Sequence, residues 1–259
     1  MDKLKIVMIG AGNLAYHLSK ALSEANHQIL QVFSRTISSA EILAKQICAD
    51  AICDLKMLDH GADLYIIAAS DMAIAQIVEQ FDFNNKRVVH TAGSVPISVF
   101  NSEIQNSGVF YPLQSFSKAR NVNFKEVPIC IESNNQQFEL FLMDLAKQLS
   151  ESTWCINSIQ RKQLHLSAVF ANNFVNHLYF IANEIISKAN IDFKILHPLI
   201  IETAHKLLEL GPKSSQTGPA LRNDTESLKK HLELLSSTPE YQDIYKIITD
   251  DIYLKHNSL

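Results

Sequence analysis

Residues 4–15 read LKIVMIGAGNLA, and they carry the strongest structural signal in the sequence. An apolar, β-branched run ends at Ile9, and a helical pattern opens directly after it with the glycine-rich turn Gly10-Ala11-Gly12-Asn13-Leu14-Ala15. In such a strand–turn–helix context, the first glycine permits the tight turn, the second lets the backbone approach a diphosphate, and the small final residue allows close helix packing. The pattern therefore predicts a dinucleotide-binding turn with the phosphates at the helix N-terminus.

The rest of the first half alternates short β-branched runs with helical periodicity, which is typical of βαβ units and a parallel sheet. We predict helices at 13–25 and 38–47 and strands at 4–9, 29–33, 64–69, 87–90, 108–111 and 128–132. Beyond about residue 155 helical periodicity takes over. The prediction is an α/β fold. An N-terminal Rossmann doubly wound sheet in residues 1–155 binds a dinucleotide, and an all-α domain follows in residues 156–259.

Three features delimit the helices of the second half. One long helix is predicted at 160–189, and a second at 198–210 ends at the pair Gly211-Pro212. Asn223 with Glu226 forms a candidate capping box for the next helix, and Thr238-Pro239 resembles the start of the last one.

Composition limits the classes of partner. The 259 residues carry 27 acidic and 23 basic side chains, a net charge of -4, which disfavours nucleic acid as a partner. No segment reaches the roughly 20 apolar residues of a membrane span, and the N-terminus lacks a secretion signal, so we expect a cytoplasmic protein. The four cysteines lack CxxC spacing, which predicts buried thiols and no metal site.

The residues after the second strand bear on cofactor choice. An acidic side chain there would hydrogen-bond the ribose 2′-hydroxyl of NAD, but this strand ends in Phe33-Ser34-Arg35-Thr36. Arg35 can pair with a 2′-phosphate, and Ser34 and Thr36 can donate hydrogen bonds to it. The sequence therefore favours NADP, and the alternative is a solvated arginine on a turn.

Ligands of doubly wound sheets bind outside the carboxyl ends of the strands. Two further segments follow strand ends and supply candidate cofactor and substrate residues, namely Ala69, Ser70, His90, Thr91, Gly93 and Ser94. Small residues would let a nicotinamide ribose lie close to the backbone, and we expect Ala69, Ser70, Thr91 and Gly93 to bind the cofactor. His90 and Ser94 are candidates for the substrate, although a histidine hydrogen-bonded to backbone is an equal alternative for His90. Gln114 lies in a segment that can close the cleft.

Four segments carry a resemblance to a known family: HTAGS (90–94), GVFYPLQSFSK (108–118), AVFANNFVNHLY (168–179) and TGPALRND (217–224). They resemble a bacterial family of putative NADP oxidoreductases in the 6-phosphogluconate-dehydrogenase-like superfamily. That family is similar to pyrroline-5-carboxylate reductases and F420-dependent NADP oxidoreductases. The resemblance spans the chain and implies an NADP cofactor, a small-molecule substrate and a homodimer built through the helical domain.

The long helix carries a polar stripe. At 100° per residue a regular helix places on one face His165, Asn172, Asn176, Tyr179 and Asn183. Superfamily dehydrogenases place a lysine and an asparagine on the corresponding helix, but here Ala168 lies one turn before Asn172. We therefore expect His165 to supply the proton and Asn172 to assist it.

The loop 211–224 resembles a substrate and dimer loop of pyrroline-5-carboxylate reductases. By that analogy Thr217 and Arg222 would bind a substrate carboxylate. Asn176, on the polar stripe, is a further candidate for contact with the substrate. A structural turn in which Arg222 pairs with Asp224 is an equal alternative.

These observations predict hydride transfer between NADPH and a small imine or carbonyl substrate at the domain junction. The missing lysine favours a second hypothesis, a non-catalytic NADP(H)-binding regulatory or scaffold protein. The small polar residues expected at the cleft count against it. A third hypothesis, reduction of a deazaflavin, requires a wide apolar second pocket.

Overall fold

The computed structural model describes residues 2–257. Its strands in chain order are β1 (Lys5–Ile9), β2 (Gln28–Phe33), β3 (Asp50–Ile52), β4 (Leu64–Ile67), β5 (Arg87–His90), β6 (Asn106–Pro112), β7 (Ile129–Ser133) and β8 (Thr153–Cys155). Its helices are α1 (Asn13–Glu24), α2 (Ile37–Ile47), α3 (Asp71–Gln80), α4 (Gln136–Leu149), α5 (Ser158–Ala168), α6 (Val175–Ser187), α7 (His197–Ser215), α8 (Thr225–Leu234) and α9 (Pro239–Asn257).

All eight strands form one sheet in the order β3-β2-β1-β4-β5-β6-β7-β8. The first six pair in parallel, β7 runs antiparallel to β6, and β8 runs parallel to β7. The chain starts at the middle of the sheet and winds outward in both directions, so the predicted Rossmann architecture is confirmed. The sequence analysis missed β3 and β8, which are only three residues long and give little periodicity.

Apolar side chains cover both faces of the central strands. In β1, Ile6 and Met8 are completely buried on the face covered by α1, α2 and α4, while Val7 and Ile9 are completely buried on the face covered by α3. This alternation follows from the two-residue period of a strand. A strand covered on both faces has no polar positions, which explains its continuous apolar run.

The chain divides into two compact units, Met1–Asn172 and Asn173–Leu259. The first contains the sheet, its flanking helices and α5. The second contains α6 to α9. The strands end at Cys155, where we predicted the change to helices, but α5 belongs to the first unit.

The predicted long helix is continuous but not uniform. Between α5 and α6 the segment Val169–Phe174 is π-helical, with hydrogen bonds from residue i to i+5. A π-helix turns by less than 100° per residue, so the angles around the helix axis calculated for a regular α-helix do not hold across this segment. His165 lies before the π segment, Asn172 lies inside it, and Asn176 lies after it.

The helix ends in the second unit agree only in part with the predicted ends. Gly211 leaves the helical conformation with φ 77°, so the predicted stop is right, although a further turn follows it. The predicted cap at Asn223 is wrong, because Asn223 takes φ 53° and the neighbouring Asp224 caps α8 by accepting from Ser227 N. Asparagine tolerates this left-handed conformation, which moves the cap by one residue. The last helix begins at Pro239 as predicted.

The prediction of buried thiols is wrong for three of the four cysteines. Cys130 in β7 is buried, whereas Cys48, Cys53 and Cys155 are exposed. Cys48 ends α2 in a left-handed conformation, and Cys155 lies on the edge strand β8. Within residues 2–257, none of the helices combines the length and the apolar character that crossing a bilayer requires.

Candidate functional site

The candidate site lies where the central strands end. The parallel register aligns Ile9 with Phe33 on one side and with Ile67 on the other, and it aligns Ile67 with His90. The residues that follow these positions therefore emerge at one edge of the sheet. This places the glycine-rich turn beside the predicted segments 34–36, 68–70 and 91–94, as expected for the carboxyl edge of a doubly wound sheet.

Gly10 is required by the turn itself. It has φ 131°, and a Cβ atom at this position would lie 2.1 Å from the carbonyl oxygen of Ala68. Its backbone N–H donates to the oxygen of Phe33 at 2.8 Å. Gly10 therefore permits the close approach of β1, β2 and the end of β4, and a larger residue would separate these backbones.

Gly12 has a different role. It caps α1 with an ordinary φ of -75°, and a Cβ atom there would meet no other group within 4 Å. The Cβ would thus enter open space in front of the helix. No side chain caps α1, and its first turn has no acidic residue. The first N–H groups of α1 and the positive end of its dipole face this space, which fits a diphosphate.

A cleft of about 420 Å³ surrounds this helix N-terminus. Of the twelve predicted cofactor residues, nine line it, namely Gly10, Ala11, Gly12, Asn13, Leu14, Ser34, Arg35, Ala69 and Ser70. Thr36 is exposed beside it as the first residue before α2. Thr91 and Gly93 are buried and lie outside its lining. The predicted cofactor residues are therefore largely brought together.

Two cations adjoin the far end of this cleft. Arg35 is exposed and lines both the cleft and an adjacent hollow of about 680 Å³, which Lys56 also lines. The single carboxylate in the lining of that hollow, Asp54, accepts a hydrogen bond from Lys56 N at 2.9 Å. Sequence reasoning missed Lys56, because it follows β3, which gave no recognisable pattern.

Lys118 reaches the glycine-rich turn from a distant part of the chain. Its Nζ donates to the carbonyl oxygen of Ala11 at 3.0 Å. The neighbouring residues hold this segment against α1, since His17 Nε2 lies 2.9 Å from the oxygen of Ser117 and the His17 ring stacks on Phe116. Lys118 places an ammonium group beside the N–H groups that would bind a diphosphate. Only the tertiary structure shows this contact, which spans 107 residues.

A second cluster lies at the end of β5. Tyr111 Oη and His165 Nδ1 are 3.0 Å apart, and their rings meet edge to face. A Cβ atom on Gly93 would lie 2.6 Å from His165 Nδ1 and 2.9 Å from Tyr111 Cζ. Because Gly93 has no side chain, Tyr111 and His165 can approach each other at this position. The structure thus brings His165 to a residue that was predicted to contact the cofactor.

A buried ion pair fixes α5 to the sheet. Arg161 is completely buried, pairs with Glu132 of β7, and donates to the oxygen of Val95 at 2.6 Å. Glu132 also accepts from Ser158 N and Ser158 Oγ, both at 2.9 Å. Arg161 lies one helical turn before His165. The ion pair therefore fixes the position of the His165 imidazole relative to the sheet.

The remaining candidates of the first unit are less accessible or already engaged. His90 is completely buried, stacks on Phe100, and accepts from Ala92 N at 3.2 Å. Burial, and then the charge of Arg161, lower the pKa of His90 to about 3, so this ring is neutral. The geometry favours the structural alternative for His90 over contact with a substrate. Ser94 donates to the Asp71 carboxylate.

Exposed candidates occur in both units. In the first unit, Gln114 is exposed, and its side-chain oxygen accepts from Ser115 N. Asn172 is exposed in the π-helical segment. In the second unit, Asn176, Thr217 and Arg222 are exposed.

The second unit has a cavity of its own. Its volume is about 400 Å³, and its lining is mostly apolar but includes Thr217. At its rim His231 Nδ1 lies 2.7 Å from Tyr245 Oη. Asp224 accepts from Ser227 Oγ at 2.7 Å rather than forming the close pair with Arg222 that was the alternative for this loop.

Comparisons with known proteins agree with this architecture. The sequence profile described as "Domain of unknown function (DUF2520)" matches residues 127–252, and that of "Shikimate / quinate 5-dehydrogenase" matches residues 1–95. A curated relative, the glutamyl-tRNA reductase of Lawsonia intracellularis, is 33% identical over 85 residues, which are 33% of this chain. The chain spans only 20% of the length of that protein.

Solved structures match over nearly the whole chain. A 1-pyrroline-5-carboxylate reductase from Streptococcus pyogenes has a TM-score of 0.65 at 16% identity and covers 97% of this chain and 98% of its own. An imine reductase from Myxococcus stipitatus in complex with NADP⁺ has a TM-score of 0.66 at 15% identity, covering 96% and 91%. At these identities the two matches show the fold alone.

A much nearer match is the crystal structure of "putative NADP oxidoreductase BF3122" from Bacteroides fragilis. Its TM-score is 0.92 at 43% identity, and the match covers 97% of this chain and 98% of that one. The chain therefore belongs to the same family as the putative NADP oxidoreductase BF3122.

Proposed function

We propose that this protein is an NADP(H)-dependent oxidoreductase that transfers a hydride between NADPH and a small imine or carbonyl substrate. The observation that carries the proposal is the uncapped N-terminus of α1 behind Gly12, with Arg35 in the same cleft. The helix end suits a diphosphate, and the arginine stands where an NAD-binding protein would use a carboxylate. The nature of the family relative, an NADP oxidoreductase by its description, supports the same cofactor.

Each group of residues has a separate task in this proposal. The N–H groups at the start of α1 bind the diphosphate, Lys118 adds a positive charge beside them, and Arg35 binds the 2′-phosphate. When bound, NADPH supplies a hydride to the substrate carbon and becomes NADP⁺, while the substrate nitrogen or oxygen takes a proton. His165 supplies that proton. Gly93 has no side chain, which leaves room for the imidazole.

The remaining candidates stay proposals. Asn172 is proposed to assist His165, and five residues are proposed to contact the substrate, namely the partly buried Ser94 and the exposed Gln114, Asn176, Thr217 and Arg222. Arg222 has the planar guanidinium that suits a carboxylate, and it is exposed. We do not extend this proposal to His90, because its side chain is completely buried.

We further propose that the protein is a cytoplasmic homodimer joined through the second unit. The support comes from the surface of the helices α6 to α9. Large apolar side chains in this unit are exposed, with Leu208 at 83%, Leu234 at 81% and Ile247 at 70%. An apolar surface of this kind is typical of a protein–protein interface. A second copy of the same chain would cover it symmetrically.

A cofactor titration tests the central proposal. We expect Arg35→Ala to weaken NADPH binding by about 10- to 100-fold and to leave NADH binding nearly unchanged, because only NADPH carries the 2′-phosphate. The matched control is Lys118→Ala, which removes a charge near the diphosphate that both nucleotides share. It should weaken both by a similar factor of about five. Quenching of protein fluorescence from Trp154 or direct nucleotide fluorescence reports the binding.

Equal losses of NADPH and NADH binding for Arg35→Ala would contradict the assignment of the 2′-phosphate. Failure of the unmodified protein to bind either nucleotide at millimolar concentration would contradict the whole proposal.

One observation favours a second candidate, a regulatory protein that binds NADP(H) without turnover. The helix position one turn before Asn172 holds Ala168, which cannot transfer a proton. A screen of imines, keto acids and a deazaflavin for oxidation of NADPH separates the candidates. Tight NADPH binding with no oxidation by any of them favours the regulatory candidate.

A further inference from the structure

We propose that Tyr111 is a positioning residue that delivers its phenolic proton to His165, so that the imidazole transfers a proton to the substrate from Nε2. The catalytic part of this inference rests on the proposed function. The part that concerns the imidazole itself does not, because the tautomer of His165 is a property of the protein alone.

The contact between the two side chains is specific. Tyr111 lies in β6 and is 8% exposed, whereas His165 in α5 is partly exposed. Their hydroxyl and Nδ1 atoms are 3.0 Å apart, within hydrogen-bond distance. Gly93, which follows β5, packs against both side chains, and any side chain at this position would overlap both rings. Strand β6, helix α5 and the segment after β5 therefore fix the position of the His165 imidazole.

Burial determines which atom donates. It raises the pKa of Tyr111 to about 12, a change reinforced by Cys130 in β7 and opposed by Arg161 in α5. The phenol therefore remains protonated and has a hydrogen to donate. Within residues 2–257, His165 Nδ1 is the hydrogen-bond acceptor found for it. If Nδ1–H donated instead, the buried phenolic hydrogen would lack a partner, which costs free energy.

It follows that Nδ1 of the neutral imidazole accepts and Nε2 carries the hydrogen. During reduction the Nε2–H bond breaks, and an N–H or O–H bond forms on the substrate. At the same time the phenolic O–H bond breaks and an Nδ1–H bond forms. The imidazole stays neutral, the negative charge passes to the Tyr111 oxygen, and that oxygen regains its proton from solvent through the same ring.

In this arrangement two protons move together, one from Nε2 to the substrate and one from the phenol to Nδ1. Without the phenol, loss of the Nε2 proton would leave a negative charge on the imidazole, so turnover falls. The titratable groups around the pair include Arg161 in α5, which forms an ion pair with Glu132 in β7, and Cys130 in β7. Burial raises the pKa of the Cys130 thiol to about 11, so the thiol is uncharged.

The first test is nitrogen NMR of the protein labelled with ¹⁵N-histidine, without cofactor. The signal of His165 is assigned by its absence in His165→Gln. We expect a pyridine-like Nδ1 and a protonated Nε2 in the unmodified protein, and exchange between both tautomers in Tyr111→Phe. The matched control is Tyr65→Phe, which removes another buried phenol, on β4, whose hydroxyl donates to the oxygen of Asp59. It should leave the His165 signals unchanged.

The second test measures turnover of NADPH with a cyclic imine at pH 8 in H2O and in D2O. Tyr111→Phe should lower kcat about tenfold with little change in KM, because one hydrogen bond that acts in proton transfer is lost. The solvent isotope effect on kcat should also fall, because one proton moves in place of two. A merely structural role for Tyr111 would leave that isotope effect unchanged.

Either of two results would overturn the inference. The first is that His165 carries its hydrogen on Nδ1 in the unmodified protein. The second is that His165 has the same tautomer in Tyr111→Phe as in the unmodified protein. These outcomes differ from failure of the proposed function, which would appear as no binding of NADPH in the titration. If the expected tautomer is found but no nucleotide binds, the position of the proton stands and the oxidoreductase proposal fails.

Discussion

The two compact units of this protein bury their apolar side chains to very different extents. In Met1–Asn172 the central strands β1 and β4 are covered on both faces, and Val7, Ile9, Leu64 and Ile66 are completely buried. In Asn173–Leu259, within the part of the chain that the structure describes, the buried hydrophobic residues are Ile181, Ala220 and Leu235. The first unit has a closed core, whereas the second leaves most of its large apolar side chains at the surface.

The two units therefore obtain their stability from different sources. Burying apolar surface contributes about 25 cal/mol per Å², and the first unit obtains this contribution within its own sheet and helices. The second unit gains little of it from its own packing. We therefore infer that the second unit depends on a covering surface, and the homodimer proposed above would supply one.

The largest expected effect is at Gly10, where the closed core of the first unit is most sensitive. Gly10→Val should destabilise the first unit by about 5 kcal/mol or more, because its side chain would collide with the Ala68 carbonyl and φ is 131°. Urea unfolding, followed by far-ultraviolet circular dichroism, measures the loss. The matched control is Gly12→Ala, whose Cβ meets open space.

The control separates packing from binding. Gly12→Ala should change the free energy of unfolding by about 1 kcal/mol or less, yet weaken NADPH binding by more than tenfold, since its methyl group would occupy the space in front of α1. An unchanged free energy of unfolding for Gly10→Val would show that the backbones around Gly10 are not tightly packed.

The next effect concerns the exposed surface of the second unit. A variant with Leu208→Glu, Leu234→Glu and Ile247→Glu should raise the dissociation constant of the proposed dimer by about a thousandfold or more, because each buried side chain contributes about 1.5 to 3 kcal/mol. Sedimentation equilibrium measures the change. A matched control is Leu140→Glu on α4 of the first unit, which is 61% exposed and should not alter the association.

An unmodified protein that sediments as a monomer at all concentrations would refute the dimer. The apolar surface of the second unit would then require a different explanation.

The smallest effect concerns His90, which lies in the closed part of the first unit. Its pKa is about 3 when folded, against 6.5 for a free histidine. Between these values the unfolded chain binds one more proton than the folded protein, so stability falls as the pH falls below 6.5. The expected contribution is about 1.4 kcal/mol per pH unit, and above pH 6.5 it vanishes.

His90→Asn should reduce this slope, because asparagine does not titrate while its side-chain oxygen can still accept from Ala92 N. Urea unfolding at pH 7, 6, 5 and 4 measures both slopes. An unchanged slope would mean that acid sensitivity arises from other groups.

Much of the first unit could be predicted from the sequence because its signals are local. The glycine-rich turn and the apolar runs predicted the order and type of the main strands, and nine of the twelve cofactor candidates line one cleft. The sequence could not show the π-helical segment, because no local pattern marks the change of hydrogen bonding. It also could not place Lys118, Lys56 or Tyr111 at the site, because each reaches it through contacts between distant parts of the chain.

Local patterns in the sequence were enough to predict the doubly wound sheet, the position of the dinucleotide-binding turn and the helical nature of the second half. These depend on periodicity and on residues a few positions apart, where backbone geometry fixes what side chains can do. The contact of His165 with Tyr111 and the contact of Lys118 with Ala11 could be found only in the folded chain. Such contacts depend on how α5 and the segment after β6 pack on the sheet, which is set by a buried ion pair and by the space that Gly93 leaves open.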